Sequence, residues 1–255
     1  MSLDRRVRAE TLDALAPDDP RAQRSRRDLV RVHRAMGTRG IVERALRRVP
    51  PPPSSLSNGR VDAGGSGILD VLELGAGDGT LMLGVARRIA ADWPPVRLSL
   101  LDRVDIVADA TRAGFAALGW EVEVVTTDVL DWAAGGRSGQ AASPDLIVTS
   151  LFLHHFQGAA LDALLGAVAA RTRRFVACEP RRDRFALAGS HLVALLGANA
   201  VTREDAVLSV HAGFRDVEIG ASWPDPHGAW EMCERRAGAF GHLFEARRCV
   251  PDLDA

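Results

Sequence analysis

The sequence predicts an α/β fold built on a doubly wound, mostly parallel sheet, and three observations predict it. Short apolar runs alternate with longer helical patterns between residues 68 and 196. A glycine-rich turn, Gly75-Ala76-Gly77-Asp78-Gly79, follows the first of those runs. The next runs end, in order, near the polar residues Asp102, Asp128 and Ser150. Alternating strand and helix marks right-handed crossover units around a parallel sheet, in which the carboxyl ends of the strands line one crevice.

The elements follow along the chain. Residues 9–15 and 24–48 read as helices, the second with Leu29, Val32, His33, Met36, Ile41 and Ala45 near helical spacing, and with Gly37 and Gly40 as interruptions. Four prolines from Pro50 to Pro53 and a Ser/Gly/Asn-rich stretch to residue 67 cannot hold regular structure. They divide an N-terminal helical lid or appendage (1–49) from a linker (50–67) and a main domain (68–255). Strands are expected at 68–74, 96–101, 121–126, 145–151 and 174–178, and helices at 81–91, 106–118, 159–170 and 185–196. Two closing apolar runs, 216–219 and 240–246, are expected to pair antiparallel at one edge.

The composition narrows the class. With 255 residues, 47% hydrophobic and 25% charged, the chain has room for a large core and is neither fibrous nor disordered. Its apolar runs are too short or too broken to span a bilayer, so no membrane partner is expected. Arg5, Arg6 and Arg8 are not followed by an apolar block with a cleavage site, and the expected location is the cytoplasm. Cys178, Cys233 and Cys249 are scattered, which argues against a disulfide framework or a structural zinc site. Residues 1–48 carry thirteen arginines against seven acids, yet every basic residue of the chain is arginine, so the basic amino end is weak evidence for nucleic acid.

The chemistry gathers at the strand ends. Gly75 and Gly77 can adopt backbone angles closed to other residues and bare the main chain to a ligand at the positive end of the following helix. A dinucleotide fingerprint would need a third glycine where Thr80 stands, which disfavours a nicotinamide oxidoreductase. Asp102 can accept hydrogen bonds from both hydroxyls of a ribose, and Asp128 from an exocyclic amine such as that of adenine. Each acid taken singly reads equally well as a helix cap or a solvated turn.

On these residues the chain resembles the class I S-adenosylmethionine-dependent methyltransferases. The matching segments are Glu73-Leu74-Gly75-Ala76-Gly77-Asp78-Gly79, Leu100-Leu101-Asp102, Thr127-Asp128-Val129 and the strand from Asp145 to Leu151. The resemblance implies a Rossmann-like methyltransferase fold with seven strands, the last antiparallel. It implies S-adenosyl-L-methionine as cofactor, with Gly75 and Gly77 approaching its methionine part, Glu73 holding the amino group directly or through water, Asp102 at the ribose, Asp128 and Val129 at the adenine, and Ala76 and Ser150 as further cofactor-binding residues. His154 falls where similar small-molecule O-methyltransferases carry a base histidine, so it is either the base or a packed, hydrogen-bonded ring; His155 is expected to point elsewhere. Glu179 reads first as a helix-capping carboxylate, and otherwise as a group that orients substrate or His154. Related enzymes that use magnesium hold it with acids at the end of the fourth strand; here that end reads Thr149-Ser150-Leu151-Phe152, so no metal is expected. The expected acceptor is a small phenolic or polyketide-like hydroxyl compound of secondary metabolism. N- or C-methylation and a catalytically silent partner subunit are the alternatives, with RNA methylation less favoured and a homodimer compatible.

Overall fold

A computed structural model describes residues 3–16, 18–48, 67–135 and 143–249. The expected linker lies outside the described residues except for Gly67. Three helices come first: α1 (Thr11–Ala14), α2 (Pro20–Met36) and α3 (Thr38–Arg48). Asp19 caps α2 by accepting from the Arg21 N–H, and Pro20 supplies a first-turn residue that needs no donor. Gly37 ends α2 in a left-handed conformation, whereas Gly40 lies inside α3 without breaking it.

The remaining elements alternate: β1 (Leu69–Leu74), α4 (Thr80–Ile89), β2 (Val96–Asp102), α5 (Asp109–Ala116), β3 (Trp120–Thr126), α6 (Val129–Ala133), β4 (Leu146–Ser150), α7 (Ala159–Arg171) and β5 (Arg174–Pro180). Then come α8 (Arg184–His191), α9 (Ala200–Ala212), α10 (Glu218–Ser222), β6 (Trp230–Ala237) and β7 (Gly241–Arg248). The seven strands form one sheet in the order β3-β2-β1-β4-β5-β7-β6. Strands β1 to β5 pair in parallel, and β7 runs antiparallel to both its neighbours. This is a seven-stranded, Rossmann-like methyltransferase fold.

Successive residues of β1 alternate between two cores. Leu69 and Val71 pack with Ile41, Val42 and Leu46 of α3 and with α4 and α5, while Leu72 and Leu74 pack with α6 and α7. Strand β1 is buried along its whole length although Asp70 and Glu73 stand among its apolar residues. Helix α3 thus belongs to the sheet's core, and α2 docks on α9 through a Ser25–Thr202 hydroxyl pair at 2.6 Å and the Asn199 N–H to Asp28 at 2.7 Å.

One expected strand is corrected. Residues 216–219 do not pair; Asp216 takes a positive φ of 52° and Glu218 opens the short helix α10. The edge strand is Trp230–Ala237, whose run Glu231-Met232-Cys233-Glu234-Arg235-Arg236 is mostly solvent-facing and charged. A sheet edge tolerates, and is protected by, such charge. Among the described residues, no helix is long and apolar enough to cross a membrane.

Candidate active site

The carboxyl ends of β1, β2 and β4, the start of α6, and the N-terminal segment enclose a cavity of about 1220 Å³. Glu73, Gly75, Ala76, Gly77, Asp102, Asp128, Val129, Ser150 and His154 all line it.

At the end of β1 the chain turns over β2, with the N–H groups of Gly75 and Ala76 donating to Leu101 O at 2.9 and 3.1 Å. Gly75 holds φ +68°, and a Cβ placed on it would lie 2.3 Å from the Phe152 ring. Gly77, at φ +56°, would meet nothing within 4 Å, so its backbone faces open cavity. Asp102 is tied to this loop: it accepts from Gly77 N–H at 2.9 Å and from Val104 N–H at 3.3 Å. Asp128 caps α6 through Leu130 N–H at 2.7 Å and still borders the cavity.

Glu73 is fully buried, and its Oε2 has no hydrogen-bond partner; the Ser150 hydroxyl is orphaned in the same way. Burial, with the nearby charges of Asp78 and Asp102, pushes the Glu73 carboxyl up from 4.5 to about 8. A carboxyl stripped of water and left unpaired is unfavourable, and a ligand cation would relieve it. Leu151, next to Ser150, carries a positive φ of 55°, a strain of about 1–3 kcal/mol that commonly clusters at functional sites.

Beyond β4, a 3-10 turn (Leu153–His155) is organised by Glu179 at the end of β5. The Glu179 carboxylate accepts from the backbone N–H groups of Phe152, Leu153 and His154 at 3.0, 2.9 and 3.3 Å. It also holds His154 Nδ1 at 2.9 Å. The other ring nitrogen, Nε2, lies 3.3 Å from Glu10 Oε1. Burial alone would lower the His154 pKa, but hydrogen bonds and charge from Glu10 and Glu179 outweigh it and raise the pKa to about 9. In this state the ring is an imidazolium with both nitrogens engaged. The expectation that His155 points elsewhere is overturned, because its ring lies 4.3 Å from that of His154, and Asp13 Oδ2 sits 3.5 Å from its Nδ1.

Glu10 and Asp13 were not identified in the sequence. They come from a segment strapped to α9: Thr11 and Leu12 N–H groups donate to Asp205 at 2.8 and 3.0 Å, and Arg5 reaches Ala212 O and Phe156 O, both at 2.9 Å. His33 of α2, also in the cavity wall, is pushed down to about 4 by burial, against the pull of Asp78, and is neutral.

No protein-family model matches the chain. The ribosomal RNA small subunit methyltransferase C of Pseudomonas fluorescens is 35% identical over 101 residues, which is 36% of this chain and 29% of that protein. A solved structure from Nostoc punctiforme, assigned to the O-methyltransferases, is 13% identical with a TM-score of 0.50, covering 96% of this chain and 64% of that one. An O-methyltransferase family protein from Burkholderia thailandensis is 19% identical with a TM-score of 0.49, covering 72% and 52% respectively. The chain therefore spans under a third of the curated relative and about half of the Burkholderia protein. By strand order and by likeness to the Nostoc structure, the chain has the fold of the class I S-adenosylmethionine-dependent methyltransferases.

Proposed function

We propose that the protein is an S-adenosylmethionine-dependent methyltransferase acting on the hydroxyl of a small, largely apolar molecule. The observation that carries this reading is the buried Glu73 carboxyl, its Oε2 unpartnered, lining a cavity that the Gly77 backbone faces openly. Such a carboxyl fits the ammonium of an amino-acid group, and the orphaned Ser150 hydroxyl lines the same cavity. Asp102 is suited to hold the ribose hydroxyls, and Asp128 with Val129 to flank the adenine. When bound, the cofactor supplies an electrophilic methyl on a sulfonium, so the protein's own work is to align the acceptor and exclude water.

The acceptor half is apolar, walled by Leu29, Val32 and Met36 of α2 and by Leu192, Val193 and Leu196 beyond α8. This suits an aromatic or polyketide-like acceptor, with α1 and α2 as its lid. His154, held as an imidazolium between Glu179 and Glu10, positions the acceptor oxygen, and the Glu10 carboxylate at its Nε2 is the group that can take a proton. As the C–O bond forms, the C–S electron pair returns to sulfur and the hydroxyl proton passes into the carboxylate–imidazole cluster. A group able to take that proton serves a hydroxyl acceptor, which must lose one. A nucleic-acid acceptor fits less well: in the basic amino end, Arg5 is spent on carbonyls, and Arg21, Arg31 and Arg47 are paired with acids.

The test is transfer of labelled methyl from S-adenosylmethionine to a panel of phenols and polyketide-like alcohols. Turnover of any one supports the reading. Donor binding without turnover across the panel would instead support a silent partner subunit.

A further inference from the structure

The turn after β4 carries a constellation that the donor pocket does not use. Consecutive residues His154 and His155 present their rings 4.3 Å apart, and Glu10 closes on them from the N-terminal segment. One ligating atom from each of Glu10, His154 and His155 lies within 4.8 Å of the others. The Glu10–His154 separation of 3.3 Å is close to the spacing between neighbouring ligands around a four-coordinate ion. All three residues line the large cavity, as does Asp13.

The surroundings are those of a metal centre. Glu179 accepts from His154 Nδ1 at 2.9 Å, which fixes the tautomer that leaves Nε2 as the ligating atom. Ser209 donates to Glu10 and orients that carboxylate. Three carboxylates, Glu10, Asp13 and Glu179, converge on two imidazoles, and a divalent cation would balance the excess negative charge. Two imidazole nitrogens and one carboxylate oxygen select first-row transition ions over magnesium or calcium, which prefer all-oxygen shells.

We propose that Glu10, His154 and His155 bind a first-row divalent metal ion of the zinc type, with a coordination position open to the cavity. This departs from the expectation of no metal, which looked for acids at the end of β4; the acid here arrives from a segment 144 residues away. The ion would hold the acceptor oxygen through its open position. That use rests on the proposed transfer reaction, whereas the binding site itself does not.

The test is zinc titration of the tag-free full chain after chelator treatment, competed against a chromophoric chelator, together with the visible spectrum of the cobalt(II)-loaded protein. One ion per chain and the intense visible bands of low-coordinate cobalt are expected. Glu10→Gln and His155→Asn should each weaken zinc binding by at least about tenfold. Both variants should keep the wild-type affinity for S-adenosylhomocysteine, which reports an intact fold. A Cys233→Ser/Cys249→Ser variant should bind zinc as the wild type does. Failure of the wild type to bind zinc, wild-type affinity in both ligand variants, or loss of binding with the cysteines would overturn the site. Failure to bind S-adenosylhomocysteine would count against the donor pocket alone.

Discussion

Raising the pH from about 5 to about 8 should remove a stabilising contribution of Glu73 to the ligand-free fold, separate from those of His33 and His154. The Glu73 carboxyl is buried without a partner, and its pKa rises from 4.5 to about 8. Between those values the folded chain keeps a proton that the unfolded chain has released. Stability is therefore full below the unfolded value, falls as pH rises through the window, and levels off above the folded value. The upper limit of the loss is about 5 kcal/mol at 1.36 kcal/mol per unit, a large fraction of a typical domain's stability. Glu73→Gln keeps the shape and removes the titration, so its stability should be flatter with pH and exceed that of the wild type at the alkaline end. Urea denaturation of both proteins across this pH range measures the effect. S-adenosylhomocysteine should reverse it: its ammonium stabilises the ionised carboxylate, so near neutral pH binding should release a proton, seen as a buffer-dependent heat. Parallel stability profiles for wild type and Glu73→Gln would refute the reasoning.

Other perturbations probe the remaining walls. Asp102→Ala should weaken S-adenosylhomocysteine binding by more than about 1 kcal/mol, since charge-assisted hydrogen bonds to the sugar disappear; unchanged affinity by calorimetry would remove the ribose assignment. His154→Ala should slow methyl transfer while leaving donor affinity nearly intact, and a fully active variant would reduce the ring to scaffolding. Gly75→Ala would force a side chain against the Phe152 ring at a positive φ, so its denaturation midpoint should drop by the equivalent of about 1–3 kcal/mol. An unchanged midpoint would mean that this turn adapts freely.

Much of the fold around the proposed donor pocket was legible because its signals are local. A buried parallel strand ending in alternating glycines occupies one short stretch of sequence, and the five parallel strands of the structure overlap the five expected apolar runs. Edge elements were harder. Strand β6 is charged because one face meets water, so its pattern resembles a loop, while residues 216–219 are apolar enough to mimic a strand but bend at Asp216. The reacting end was least legible. Glu10 and Ser209 meet through side chains 199 residues apart, and no spacing rule joins them. His155 was misjudged because the backbone N–H groups of Phe152, Leu153 and His154 gather on Glu179 while that of His155 donates to Phe152 O, a tight turn in which the two rings lie together.

The central claim meets its most direct test in a crystal structure of the protein grown with S-adenosylhomocysteine. The ligand's amino group should lie within hydrogen-bond distance of Glu73, with its ribose hydroxyls on Asp102 and its purine beside Val129. Density showing Phe152 and its neighbours filling the hollow over Gly77, or the ligand seated elsewhere, would contradict it.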